Sequence, residues 1–205
     1  MTFAVLGMVL PVLGMAWAGP PELPRPTTVY PLMEPDSVVG EYRAWAKSIG
    51  KTGDATELEC APFAENLVEC FLDARGSLYT RAMGFSAPTL AAALVPGTPL
   101  GLTETHVDGF TRTYWLRAQG DGQDHVPMAW PAALAAAVAG QPVVAVPVRG
   151  AFVAWLPGDA EFDKVMGVGV RKMYETLPDP VSPLLYQWRD GAWGTWGVAK
   201  PTVGG

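Results

Sequence analysis

The stretch from Gln141 to Trp193 constrains the fold most, because four elements follow one another in it without a long interruption. Two short apolar runs, Val143 to Val146 and Ala151 to Leu156, are broken by Pro147 and Gly150, which predicts two strands joined by a tight connection. A run with helical periodicity follows. Its apolar positions are Phe162, Val165, Met166, Val170, Met173 and Leu177. One stripe of this helix should therefore lie on the strands.

A hairpin signal closes the same stretch. Asp190-Gly191 between aromatic and β-prone residues favours a two-residue type I′ turn, because both central residues then need positive φ. Counting outward pairs Arg189 with Ala192, Trp188 with Trp193, Gln187 with Gly194 and Tyr186 with Thr195. We therefore expect Tyr186, Trp188 and Trp193 on one face. That face, with Trp188 buried, should pack against the helix that begins near Ala160, and Gln187 and Arg189 should lie on the opposite face.

Earlier elements extend the prediction to most of the chain. Asp36 or Ser37 is a suitable N-cap for a helix to about Ile49. Its apolar stripe is Val38, Val39, Tyr42, Trp45, Ala46 and Ile49. The pattern of residues 57–83 predicts a small antiparallel sheet, and that of residues 110–118 predicts a further strand. Helices should begin near Ser86 and at Pro131. The fold class is therefore α+β, with small antiparallel sheets and helices packed on one side.

The N-terminus predicts export. Residues 1–18 carry no charge and end in Ala16-Trp17-Ala18, a pattern that signal peptidase accepts, so we expect cleavage before Gly19 and a periplasmic or secreted protein. The alternative is an uncleaved anchor, but this apolar run is shorter than the roughly 20 residues that a spanning helix needs. No later stretch is long and apolar enough to cross a bilayer.

Six prolines between residues 19 and 36 predict an extended arm, because proline excludes helix interior and favours polyproline conformations. We expect the folded domain to occupy residues 37–205. Its first half, 37–120, contains the cysteine pair, and its second half is 127–205.

Cys60 and Cys70 are the only cysteines, and they lie on consecutive predicted strands. In an exported chain they meet an oxidising compartment, so we expect a disulfide between them. The alternative is a reduced, buried pair in a cytoplasmic protein.

Composition narrows the range of partners. The net charge is −6 and there is no basic run, which argues against nucleic acid and against an anionic membrane surface. With 49% hydrophobic and 17% charged residues, the chain should fold.

Signatures of catalysis are few. The sequence contains no HExxH, GxSxG or CxxC pattern, so no catalytic residue, metal site or cofactor is predicted. The two histidines, His106 and His125, each have an aspartate nearby, as a general base or metal ligand would. The simpler interpretation is that both lie in exposed loops. Gly50-Lys51-Thr52 has the end of a phosphate-binding loop but not its first glycine, since Trp45 occupies that position.

Arg149 and the C-terminal aromatic residues are the candidates for ligand binding. Arg149 follows a predicted strand and could hold a carboxylate or phosphate. Alternatively, it pairs with Asp159, Glu161 or Asp163 of the following helix. Tyr186, Trp188 and Trp193 could stack on sugars or peptides, although aromatic residues in a chain with so little charge are more often core.

The second half resembles a known family. The run VVAVPVRGAFVAW, then a helix, then PVSPLLYQWRDGAW is similar to the YtpQ-like family of bacterial proteins, a domain of unknown function. The resemblance covers residues 127–193. It departs from the family at Val148 and Gly150, where the family step usually has Ser and Asp, and the family implies no activity.

These observations predict an exported, non-enzymatic binding or scaffolding protein of the bacterial cell envelope, with an unidentified ligand. The alternative is a secreted hydrolase or metal-dependent enzyme that uses His106 or His125.

Overall fold

A computed structural model describes residues 29–94, 100–119 and 126–197. Within these ranges there are nine strands: β1 Tyr30–Pro35, β2 Cys60–Ala64, β3 Leu67–Leu72, β4 Thr103–His106, β5 Thr113–Arg117, β6 Val143–Val148, β7 Ala151–Trp155, β8 Leu185–Arg189 and β9 Ala192–Thr195. The same described residues form five α-helices: α1 Val38–Ser48, α2 Ala87–Ala92, α3 Val126–Ala129, α4 Pro131–Ala137 and α5 Ala160–Thr176. Both sheets are antiparallel, which confirms the α+β class.

The larger sheet has six strands in the order β4-β5-β7-β6-β8-β9. Every residue of β6 is buried, because both faces of this central strand are covered. On one face Val143 and Ala145 pack with α5. On the other face Val144 and Val146 pack with α3, α4 and the smaller sheet. Helices therefore lie on both faces of this sheet. We had expected them on one side only.

Helix α5 forms where the periodicity predicts it. The Asp159 side chain accepts hydrogen bonds from the backbone N–H groups of Glu161 and Phe162, both at 3.1 Å, and so caps the N-terminus. Phe162, Met166 and Val170 are buried at four-residue intervals. The predicted stripe was too wide, because its flanking members, Val165 and Leu177, are exposed.

The smaller sheet has the order β1-β3-β2 and contains about a third of the proline arm, Tyr30–Pro35. Pro31 and Pro35 lie within β1, an edge strand, where half of the backbone N–H groups have no partner in the sheet and proline is tolerated. The described fold therefore includes Tyr30–Pro35, which precede the expected start of the domain at residue 37. Residues 1–28, including the predicted signal and the rest of the arm, lie outside the described residues.

The third predicted strand of residues 57–83 forms only isolated bridges, Leu72 with Leu78 and Leu58 with Thr80, followed by a 3₁₀ turn at Arg81–Met83. Strand β1 takes the third place in the sheet instead.

Cys60 and Cys70 are directly opposite each other on β2 and β3 and form the predicted disulfide, with Cα atoms 4.1 Å apart. Cys70 is fully buried and Cys60 is half-buried.

The predicted hairpin is confirmed. Asp190 and Gly191 have φ values of 52° and 82°, and all four predicted cross-strand pairs of β8 and β9 occur. The packing differs from the prediction. The Tyr186 and Trp193 face packs with α3, α4 and the smaller sheet rather than with α5, and Trp193 is buried whereas Trp188 is half-buried. Gln187, on the opposite face, is buried as well.

One hydrophobic cluster joins the two halves of the chain. Met33 and Leu67 from the smaller sheet pack with Val144, Phe152 and Tyr186 of the larger sheet. Within the described ranges 29–94, 100–119 and 126–197, no helix combines the length and hydropathy needed to cross a membrane.

Glu69 is a poorly solvated carboxyl group in the smaller sheet. It lies opposite Met33 on β1 and Ala61 on β2, and burial raises its pKa to about 7. Among the described residues, its side chain has no hydrogen bond or ion pair. Because its pKa in the folded state exceeds its unfolded value, the protonated form contributes stability that is fully present below pH ~4.5 and is lost as the pH rises to about 7.

We expect Glu69→Gln to increase the free energy of unfolding at pH 8 by about 1–2 kcal/mol, a value reduced for the partial exposure of the group. The gain should disappear at pH 4. Urea denaturation at both pH values measures it. The control is Glu104→Gln on β4, an exposed strand carboxylate. If both variants changed the free energy of unfolding equally at each pH, the raised pKa of Glu69 would be contradicted.

Candidate functional site

Exposed aromatic side chains surround a cleft of about 540 Å³ beside α1. Its lining residues are Tyr42, Trp45, Lys51, Ala55, Ser77, Leu78, Thr80 and Met83. We call this site the α1 cleft. Trp45 is 52% exposed and Met83 is 46% exposed, which is unusual for large apolar side chains.

Helix α1 exposes these aromatic residues because it is only shallowly packed. Ala46 is its sole buried residue, so the predicted apolar stripe does not lie on a core. Tyr42 and Trp45 are three residues apart and therefore project from the same side, with ring centroids 5.4 Å apart and planes tilted by 50°. The two rings form one wall of the cleft.

Lys51, which follows the end of α1, also lines the cleft. Gly50 has φ of 82°, a left-handed conformation that terminates the helix, and the Lys51 backbone N–H then donates to the Ala46 carbonyl at 3.0 Å. The Lys51 Nζ lies 5.8 Å from the Tyr42 centroid and 5.3 Å from the Trp45 centroid. It also donates to the Tyr42 hydroxyl at 3.4 Å. The rings thus hold the ammonium group by cation–π attraction at the mouth of the cleft.

Lys51 keeps donor capacity for a ligand. In the part of the chain that the structure describes, no carboxylate pairs with Lys51, whereas the nearby Glu57 and Glu59 are paired with Arg43 and Arg81. An ammonium group has three donors, and the single long contact to Tyr42 uses only one of them.

The opposite wall is anchored to β3. Asp73 accepts backbone hydrogen bonds from Arg75 and Ser77, both at 2.8 Å, and shapes the turn that follows the strand. The Tyr79 N–H donates to the Phe71 carbonyl at 2.9 Å, which fixes the segment containing Leu78. Because this wall is hydrogen-bonded to the sheet, the cleft is preformed.

The chemistry of the α1 cleft suits binding. It offers two aromatic faces, one ammonium group and the hydroxyls of Ser77 and Thr80. Among the described residues, no carboxylate, imidazole or thiol lines it.

Arg149 does not pair with Asp159, Glu161 or Asp163. Its Nη2 lies 2.8 Å from Oε2 of Glu34 on β1, and its backbone N–H donates to the Asp179 carbonyl at 2.8 Å. Glu34 is 2% exposed. Burial raises the pKa of Glu34, and the hydrogen bond from Arg149 opposes this effect without cancelling it. The arginine therefore stabilises a buried carboxyl group of the smaller sheet, a partner that comes from the arm and not from α5.

Tyr186 and Trp193 belong to the core and are not available to stack on a ligand. The Tyr186 hydroxyl donates to the Glu65 carbonyl at 2.8 Å and lies 2.7 Å from the Ser182 hydroxyl. Burial raises the pKa of Tyr186. The Trp193 indole N–H donates to the Met128 carbonyl at 3.0 Å. Trp188 is half-buried against Trp193, with ring centroids 5.5 Å apart. The structure therefore does not join these residues and Arg149 into one ligand site.

His106 is exposed, as predicted, but it is the last residue of strand β4, opposite Thr113, and does not lie in a loop. Its imidazole has no hydrogen-bonded acid among the described residues. Across ranges 29–94, 100–119 and 126–197, no three His, Cys, Asp or Glu side chains are grouped as a metal site. His125 lies outside the described residues.

Sequence reasoning missed Tyr42, Trp45 and Lys51 as a group. It placed the first two in a core stripe and considered Lys51 only for a phosphate loop. The available signal was the spacing of two aromatic residues and a lysine around a helix end.

Comparison with protein-family models, with curated proteins and with solved structures found no match for this chain. The resemblance of residues 127–193 to the YtpQ-like family stays a prediction.

Proposed function

We propose that this chain is an exported, non-enzymatic binding protein of the bacterial cell envelope, and that the α1 cleft binds an acidic saccharide. The observation that carries the proposal is the exposed Tyr42 and Trp45 pair beside an ammonium group that has no carboxylate partner among the described residues.

A saccharide suits the three kinds of group in the cleft. The C–H face of a sugar ring is apolar and stacks on an indole, while its hydroxyls bond to side chains such as Ser77 and Thr80. A carboxylate on the sugar would accept from Lys51 in a charge-assisted hydrogen bond. The volume of about 540 Å³ falls in the usual range of small-molecule sites, roughly 300–1,000 Å³.

Two features support export. The first is the leader-like pattern of residues 1–18, and the second is the Cys60–Cys70 disulfide, which is typical of oxidising compartments.

We expect the purified protein to bind oligogalacturonate, and Trp45→Ala to weaken that binding by about tenfold or more, as loss of a central aromatic contact does. Lys51→Met should weaken oligogalacturonate binding but leave the weaker binding of neutral maltohexaose unchanged. Titration calorimetry measures both ligands.

The matched control is Ile49→Ala, which truncates a residue that is 54% exposed on the adjoining end of α1 and does not line the cleft. Its affinity should equal that of the parent protein. Absence of binding to both oligosaccharides, or equal losses in Trp45→Ala and Ile49→Ala, would overturn the proposal.

A further inference from the structure

A second groove, far from α1 in sequence, runs along α5. Two adjoining cavities of about 300 and 350 Å³ share Val165 on this helix. The first lies between α5 and strands β5 and β7. Its lining residues are Val107, Tyr114, Leu116, Val153, Val165, Met166, Gly169, Val170 and Met173. The second continues toward the start of the helix. Its lining residues are Phe110, Glu161, Lys164, Val165 and Val168. We call the two together the α5 groove.

The groove exists because one helix cannot cover the whole face of a six-stranded sheet. Strands are spaced about 4.8 Å apart and a helix is about 10 Å wide, so α5 covers roughly two strands. It packs on β6 and β7, while Tyr114 and Leu116 on β5 stay half-buried beside it. Val165 and Val168 are 42% and 61% exposed at its rim.

Gly169 keeps the groove open. A Cβ atom built at this position meets no atom within 4 Å, so the space beside the helix is empty at the middle of the groove. The floor beneath is aliphatic and rigid, since Val153, Met166 and Val170 are all at least nine-tenths buried.

The length of the α5 groove suits a single hydrocarbon chain. From Glu161 to Met173 the helix advances about 18 Å, the length of an extended chain of about 12–14 carbons. The two cavities share Val165, so a single chain can run through both.

The charged groups of the groove lie at one end. Lys164 and Glu161 flank the cavity near Phe110, and no other charged side chain lines either cavity among the described residues. The other acids at this helix end are engaged. Asp159 caps α5 and lies near Arg112, and Asp163 accepts from the Trp155 indole and the Gly158 N–H. Lys164 has no ion pair in the described ranges, so its ammonium group is open to a carboxylate head group.

We propose that the α5 groove binds a free fatty acid of about 12–14 carbons, with its hydrocarbon chain over Gly169 and its carboxylate at Lys164. This site is independent of the α1 cleft.

The test is calorimetric titration of the purified protein with tetradecanoate and with tetradecanol, each below its aggregation threshold. We expect Gly169→Leu to reduce the affinity for both at least tenfold, because the leucine fills the groove. Gly169 has a helical backbone, so the substitution also raises helix propensity and the variant should fold. The matched control is Gly40→Leu, an equally open, exposed glycine on α1, which should leave binding unchanged.

A separate variant tests whether Lys164 binds the carboxylate. Lys164→Met should weaken tetradecanoate several-fold and leave tetradecanol unchanged. Equal effects on acid and alcohol would overturn the placement of the carboxylate. Failure of the parent protein to bind either ligand, or full binding by Gly169→Leu, would overturn the site.

Discussion

Trp193→Ala is expected to lower the free energy of unfolding by about 3–5 kcal/mol, the range for large aromatic truncations in a core. Trp193 is 6% exposed and packs in the cluster that joins both halves of the chain. Its removal also leaves the buried Met128 carbonyl without the indole donor at 3.0 Å, which adds to the cavity cost. Urea denaturation of the parent and variant proteins measures the difference.

Trp188→Ala is the matched control, because Trp188 lies directly opposite Trp193 on the same hairpin and is only half-buried. We expect it to cost about 1–2 kcal/mol. Trp193→Phe keeps an aromatic ring but removes the N–H and part of the ring, so we expect a loss of unfolding free energy smaller than that of Trp193→Ala, from the missing hydrogen bond to Met128 and a smaller cavity. If Trp188→Ala proved as costly as Trp193→Ala, the assignment of Trp193 as the buried member of the pair would be wrong.

Reduction of the Cys60–Cys70 disulfide should lower the free energy of unfolding by about 3 kcal/mol. The bridge closes a short loop with a sequence separation of 10, and the chain-entropy model gives this value for a loop of that size. For a domain of this length the melting temperature should fall by about 6–12 °C. Thermal unfolding followed by circular dichroism, with and without reductant, measures the change.

A Cys60→Ala/Cys70→Ala double variant separates loop closure from the packing of thiols. Because Cys70 is fully buried in the sheet, alanine leaves a small cavity there and the variant should be slightly less stable than the reduced parent. Titration of the unreduced, unfolded parent should find no free thiol. Two titratable thiols would refute the bridge in the purified protein.

Local patterns predicted the elements that depend on near neighbours. Asp190-Gly191 determined the register of β8 and β9, because a two-residue turn leaves one pairing for the strands on either side. Asp159 and the four-residue spacing of Phe162, Met166 and Val170 determined α5 in the same way. These signals act within one element or one turn, so the sequence carries them directly.

The candidate site was not predictable by the same reasoning. The apolar stripe of α1 predicts a buried helix face, yet burial depends on whether another element covers that face, and here Trp45 and Ile49 stay exposed. A periodic pattern determines which residues share a face but does not determine what lies opposite it. The position of strand β1 was not predictable from local patterns either. Its pairing with β3 joins residues about 30–40 positions apart, and its prolines indicated an arm outside the sheet.

Local patterns were therefore enough to predict the α+β class, the β8–β9 register, helix α5 and the pairing of Cys60 with Cys70. The packing of distant segments was needed to show that Trp193 rather than Trp188 is buried, that Arg149 pairs with Glu34, and that Tyr42, Trp45 and Lys51 line an open cleft. The two groups differ in the range of the interactions. Turn geometry, capping and helical spacing involve residues close in the chain. The burial of a side chain and the partner of a charge depend on surfaces brought together from more than a hundred residues away, as Glu34 and Arg149 are.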